Sequence, residues 1–200
     1  MPKPRLGYHG SLDLPTAVAR AAGTEVELVE YDVRDPFTPL RSGRTDLMIT
    51  KFPPTEPDLR YTAPIAAEPR AVVLAAGHPL AGRSAVSVEE VVDRPGFHRP
   101  EGMPVEVWDR LVPPRTPAGR PIRREFELTT VAELMRLVSS GVAMHLTVLS
   151  IADVAPPTVR VLPVTDLPPA TVHLAYLAAA PEWVHGFAKA VESAMAVRAA

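Results

Sequence analysis

Two hundred residues, 46% of them apolar, carry 21 basic and 23 acidic side chains for a net charge of -2. That length buries one or two cores, and the charge balance gives no electrostatic footing for nucleic acid, which needs a basic face. The absence of cysteine excludes disulfides and thiolate sites. No apolar run approaches the roughly 20 residues of a membrane span, and MPKPRLGYHG lacks the apolar segment of a secretory signal, so a cytoplasmic protein with no membrane partner is expected.

In chain order, PRLGYHG reads as a first strand running into a loop over residues 7–10. Ser11 or Asp13 can cap the following helix, with Pro15 near its first turn, Val18 and Ala22 on one face and Gly23 at its end. VELVEY (26–31) is a second strand. Asp35-Pro36 opens a second helix that closes at residues 40–42, with Gly43 suited to the left-handed C-terminal position. DLMIT (46–50) is a short apolar run of the kind that forms a buried parallel strand. Strand, helix, strand, helix, strand predicts a parallel sheet with right-handed crossovers.

An extended stretch over 59–66 starts a second lobe, followed by the buried run AVVLAAG and a turn at His78-Pro79. Ser87 with Glu90 three residues on predicts a capping box. Gly96-Phe97-His98-Arg99 reads as a strand end and loop, and residues 104–112 as a helix carrying Val107, Trp108 and Leu111. IRREFEL (122–128) alternates as a strand with one wet face. Thr129 or Thr130 caps a helix whose Val131, Leu134, Met135 and Val138 follow i, i+3, i+4, i+7 to Gly141. Residues 144–148 are expected to return to the first lobe. Strands over 159–162 and 171–177 follow, then a last helix from Pro181 with Val184, Phe187, Val191 and Met195 on one face.

The ordered set LxxGxxDLxI (Leu40, Gly43, Asp46), Glu68-Pro69 and His78-Pro79-Leu80-Ala81, with the helix–Gly–strand passage over 131–150, resembles the effector-binding domain of LysR-type transcriptional regulators across essentially the whole chain. The resemblance implies an α/β fold of two Rossmann-like lobes with mostly parallel central sheets, of the type 2 periplasmic-binding-protein kind. Lobe I takes 1–52 and 147–200 and lobe II takes 58–143, joined by hinges near 51–58 and 143–148. It also implies a small-molecule effector held between the lobes and side-by-side pairing of two copies, a helix of one against a strand of the other. A homodimer is therefore a possible partner state. Family members carry a helix-turn-helix ahead of the first strand, whereas this sequence opens four residues before it. A stand-alone or excised sensor, with no direct nucleic-acid contact from this chain, is expected.

In open α/β sheets ligands lie beyond the carboxyl ends of the strands, where helix N-termini offer free N–H groups suited to a carboxylate. Four places qualify: Tyr8, His9 and Ser11 after the first strand, Thr50 and Lys51 after the third, Phe97 and His98 in the second lobe, and Thr129, Thr130 and His145 near the return crossing. The resemblance marks Ser11 and Thr50 as positions whose hydroxyls contact effector. Each has a plainer reading: Ser11, Thr129 and Thr130 as helix caps, Lys51 as a solvated charge, His78 as part of its turn, the arginines from 110 to 124 as a solvated rim. Ala143 and Val148 stand where the family usually has glycine and proline, and His145 replaces a small residue. His9, His98 and His145 at three strand ends raise the alternative of an enzyme, a cyclase, dehydratase or isomerase using histidine acid–base groups. No metal site is expected, since zinc-ligand spacings are missing, and no cofactor.

Overall fold

A computed structural model describes residues 3–196. The chain divides into two compact units, the first comprising 1–67, 102–107 and 171–200, the second 68–101 and 108–170.

The first unit is built on a six-stranded sheet. Its strands are β1 (Arg5–Tyr8), β2 (Glu27–Glu30), β3 (Leu47–Lys51), β4 (Leu59–Tyr61), β5 (Ala66–Glu68) and β11 (Ala170–Leu177), in the order β2-β1-β3-β11-β4, with β5 also pairing with β11. β1 runs parallel to β2 and β3, as the alternating strand–helix pattern requires, and β11 enters antiparallel between β3 and β4. One face buries Leu6, Leu47, Ile49, Val172 and Leu174 against α1 (Asp13–Ala22) and α5 (Glu182–Met195), which contribute Val18, Val184, Phe187 and Val191. Each fully buried Leu or Val contributes about 2 kcal/mol of transfer free energy. The other face buries Met48 and Ala175 under Phe37 and Leu40, the latter on α2 (Thr38–Arg41). α1 stops at Gly23, whose φ of 64° is open to a residue without a Cβ.

Asp46 explains the motif that carries it. Its carboxylate accepts from the Arg5 backbone N–H at 2.8 Å and from the Arg5 guanidinium at 2.7 and 3.1 Å, while the Asp46 N–H donates to the Arg5 carbonyl. The residue therefore locks the register of β3 on β1. Gly7 is small for the same reason: a Cβ there would stand 3.0 Å from the Met48 Cβ.

The second unit has a three-stranded antiparallel sheet, β10-β6-β9, of β6 (Arg70–Ala75), β9 (His145–Val148) and β10 (Val159–Pro163), and a short parallel pair, β7 (Gly96–Phe97) with β8 (Arg124–Phe126). The sheets of the molecule are thus mixed. α4 (Val131–Ser139) lays Leu134, Met135 and Val138 on Phe97, Val73 and Val159. α3 (Val105–Leu111) buries Trp108. Ser87 and Glu90 form the capping box of a 3-10 turn over Val88–Glu90.

The chain crossings differ from expectation. Residues 144–148 do not return to the first unit, because β9 pairs with β6 from Arg70↔Val148 to Val73↔His145 and belongs to the second unit's sheet. Nor does the second unit begin near residue 58, since β4 pairs with β11 in the first. The changes of unit in the backbone fall at 67/68 and 170/171, with residues 102–107 counted with the first unit. Gly102 fits there because a Cβ would overlap the Arg34 carbonyl.

Candidate ligand site

Parallel pairing brings the carboxyl ends of β1 and β3 to one end of the first unit's sheet. After β1 the chain passes through Gly10, φ 76°, to the buried Ser11, whose Oγ accepts from the Asp13 N–H at 3.2 Å. Ser11 is therefore a helix-start residue with its own O–H proton still to give. Tyr8 accepts the Tyr31 N–H on its carbonyl, His9 donates from Nδ1 to the Tyr31 carbonyl at 3.1 Å, and the Tyr31 hydroxyl donates to the Ile49 carbonyl at 3.0 Å. Tyr31 thereby ties the loop after β1 to the end of β3.

Two costly residues lie together at the end of β3. The Thr50 side chain is 7% exposed and its hydroxyl has no hydrogen-bond partner among the described residues. Leaving a buried hydroxyl unpaired costs about 1–3 kcal/mol. Phe52, two residues on, holds a φ of 63°, a left-handed conformation that costs a side-chain-bearing residue of order 1–3 kcal/mol. Its N–H donates to the Thr171 carbonyl at 2.6 Å, pinning the end of β3 to the start of β11. Lys51 between them is half-buried.

Across the sheet Thr50 is paired with His173, and Met48 with Ala175. Opposed residues of an antiparallel pair project to the same face, so this face passes from apolar at Met48 and Ala175 to polar at Thr50 and His173. His173, 4% exposed, donates from Nδ1 to the Thr62 carbonyl at 2.8 Å and meets the Thr171 hydroxyl at Nε2 at 2.9 Å. Tyr61 stands edge-on to the ring at 5.6 Å. Burial pushes the His173 pKa down, against a smaller upward pull from the bond to Thr62. Neither Thr171 nor His173 stood among the residues singled out from the sequence; both are polar residues at every second position at the start of the otherwise apolar strand TVHLAYL.

The second unit distributes its expected site residues differently. Phe97 is a core residue, 1% exposed, packed on Phe126 and His145. His98 is exposed, and its backbone N–H continues the ladder to the Phe126 carbonyl. Thr129 is exposed, and Thr130 caps α4 by accepting from the Glu133 N–H at 3.0 Å. His145 is buried, edge-on to Phe97 at 5.6 Å, with the Trp108 ring at 6.4 Å. Burial, and secondarily the charge of Arg70, push its pKa down to about 4, so it is neutral at physiological pH. Arg70 is itself buried and donates to the carbonyls of Thr147, Arg110 and Leu111, the last two at the carboxyl end of α3, where partial negative charge suits a cation. Of the arginine-rich stretch, Arg120, Arg123 and Arg124 are each ion-paired, with Asp93, Glu125 and Asp109.

No hydrogen bond links His9, His98 and His145 to one another or to a shared carboxylate among the described residues. His9 is bonded to the Tyr31 carbonyl, His98 is exposed to solvent and His145 lies in an apolar core. Among the described residues no group of three or more His, Asp or Glu could hold a metal ion, and no helix is long and apolar enough to cross a membrane.

No curated protein sequence matches the chain. Among solved structures it is similar to the effector-binding domain of QuiR in complex with shikimate, at 17% identity and a TM-score of 0.68, covering 95% of each chain. It is similar to the BenM effector-binding domain with benzoate, at 18% identity and a TM-score of 0.68, covering 96% of this chain and 90% of that one. Against the LysR-family regulator CbnR the identity is 13% and the TM-score 0.74, covering 98% of this chain and 70% of that one. The family model for the LysR substrate-binding domain matches residues 14–195. The chain belongs to the LysR substrate-binding domain family and has its effector-binding fold.

Proposed function

We propose that the chain binds a small organic acid as effector at the carboxyl ends of β1 and β3 of the first unit. Thr50 donates to it, Ser11 and the start of α1 supply further donors, Lys51 adds positive charge, and Tyr8 and His9 flank the loop. The observation that carries this reading is the unpaired, buried Thr50 hydroxyl. A buried polar group without a protein partner is one that a bound guest can satisfy. The family relatives QuiR and BenM are seen with shikimate and benzoate, both carboxylic acids. Thr50→Val tests the reading, since it keeps the branched shape and deletes only the hydroxyl. The empty protein is expected to melt higher, by the relief of about 1 kcal/mol or more, while affinity for an acid that binds the wild type falls about tenfold, the loss of one well-made hydrogen bond. If Thr50→Val binds as tightly as the wild type, Thr50 does not contact the effector.

The proposed assembly is a homodimer in the cytoplasm. β2 is an edge strand with Glu27, Leu28 and Glu30 exposed, and the adjoining α1 carries the exposed Arg20. An unpaired edge is a surface that proteins cover or pair, and Arg20 is complementary to Glu27 and Glu30. Two copies placed with α1 of one on β2 of the other would cover both.

A further inference from the structure

His173 has one arrangement of protons compatible with its neighbours. The Thr62 carbonyl can only accept, so Nδ1 must carry a proton. Thr62 cannot turn away, because its N–H donates to the Leu174 carbonyl at 3.0 Å and its hydroxyl accepts from the Leu174 N–H at 3.1 Å. A second proton at Nε2 would make the ring a buried cation, and no carboxylate is paired with it among the described residues. Nε2 is therefore a lone-pair acceptor, and the bond of 2.9 Å to Thr171 is donated by the threonine. The Thr171 hydroxyl proton is thereby spoken for. Its oxygen keeps lone pairs for another donor, and the side chain is half-buried and not sealed. Thr171 lies two residues from His173 on β11, on the same face, and is thus the diagonal neighbour of Thr50, about 7 Å away by sheet geometry. Thr50 is the complement, with an uncommitted proton.

We infer that His173 is a positioning residue that sets the polarity of this binding surface, holding Thr171 as an acceptor beside Thr50 as a donor, and that the effector is a hydroxylated acid which gives a hydroxyl proton to Thr171 and accepts on an oxygen from Thr50. This rests on the reading that Thr50 touches the effector. The spacing suits a carboxylate and a ring hydroxyl on one small ring, and a bare ring acid would leave the Thr171 lone pair facing carbon.

The test has two parts. Nitrogen-15 NMR of the imidazoles in the ligand-free wild type, with Thr171→Val for assignment, reads the tautomer directly. His173 is expected neutral, with a proton on Nδ1 and none on Nε2; a proton on Nε2 at neutral pH overturns the proposal. Thermal-shift titrations then compare benzoate with its ring-hydroxylated derivatives, 3-hydroxybenzoate and 3,4-dihydroxybenzoate, on the wild type, Thr50→Val, His173→Asn and His173→Gln. The wild type is expected to prefer a hydroxylated acid by about tenfold, one hydrogen bond. His173→Asn can keep the bond to Thr62 but leaves Thr171 free, and its preference is expected to fall below about threefold. His173→Gln, whose amide oxygen can reach the place of Nε2, is expected to restore it. A preference that survives in His173→Asn, or benzoate binding the wild type as well as the hydroxylated acids, overturns the proposal. In the latter case, weakening of benzoate by Thr50→Val would leave the effector-site reading standing. If none of these acids binds the wild type, both fall together.

Discussion

Thr50 and Phe52 each cost the fold stability, and they are two residues apart. In a core chosen for stability alone, valine would replace the first and glycine or asparagine would suit the backbone of the second. Their presence together at the end of β3 is what supports, at this scale, the binding site proposed there. His145 makes a different statement at this scale. Its pKa of about 4 lies below the ordinary 6.5, so the unfolded chain takes up a proton that the folded chain refuses. The stability it contributes is whole above pH 6.5, is lost as the pH falls from 6.5 towards 4, and levels off below that. Between pH 7 and pH 5 the loss is about 2 kcal/mol. His145→Phe is expected to flatten urea-unfolding stability over that window, leaving the smaller slope from His78 and His173, whose pKa values are also lowered by burial. A slope unchanged in His145→Phe would mean the imidazole is hydrated. Thr50 stands out in the sequence as a hydroxyl closing an apolar strand run. Its pairing with His173 and the diagonal placement of Thr171 do not, because they depend on which strand pairs with β3, and that partner is more than a hundred residues away.

Elements were legible where local chemistry suffices. The i, i+3, i+4, i+7 spacing placed α4, Gly23 ended α1, and the Ser87–Glu90 pair capped its turn. The sheet assignment of β9 was not legible, since HLTV, buried throughout, reads the same in either unit's sheet. The same limit applied to β4, a three-residue strand whose place is set by β11. Asp46 offers a test of how one residue fixes an element. Asp46→Ala removes the bonds of its side chain to Arg5 and frees the register of β3, at an expected cost of about 2 kcal/mol by denaturant melting. The exposed Glu133–Arg136 pair has comparable distances, but Glu133→Ala is expected to change stability far less, because solvent screens it. Equal losses would show that Asp46 is just another surface pair. At β2, Leu28→Glu places a third like charge beside Glu27 and Glu30. Light scattering is expected to show a dimer for the wild type and a monomer for this variant, and a dimer that survives unchanged would place the interface elsewhere.

For the whole molecule, the family and its two-unit fold were legible because ordered motifs over the full length were at the right spacings. The positions at which the backbone changes unit were not, because they are decided by pairing of distant strands. Effector binding has a thermodynamic consequence that requires no knowledge of the downstream response. A ligand at 100 times its dissociation constant stabilises the folded state by about 2.7 kcal/mol, and 1 kcal/mol shifts the midpoint of a chain this size by about 2–4 °C. The measurement that bears most directly on the account is a thermal-shift titration of the wild type and Thr50→Val with shikimate, benzoate and the hydroxybenzoates. The account predicts that Thr50→Val melts higher than the wild type when empty, and that at least one acid raises the wild-type midpoint by more than about 5 °C and the variant's by much less. An acid that stabilises both proteins equally, or a wild type that responds to none of them, would contradict it.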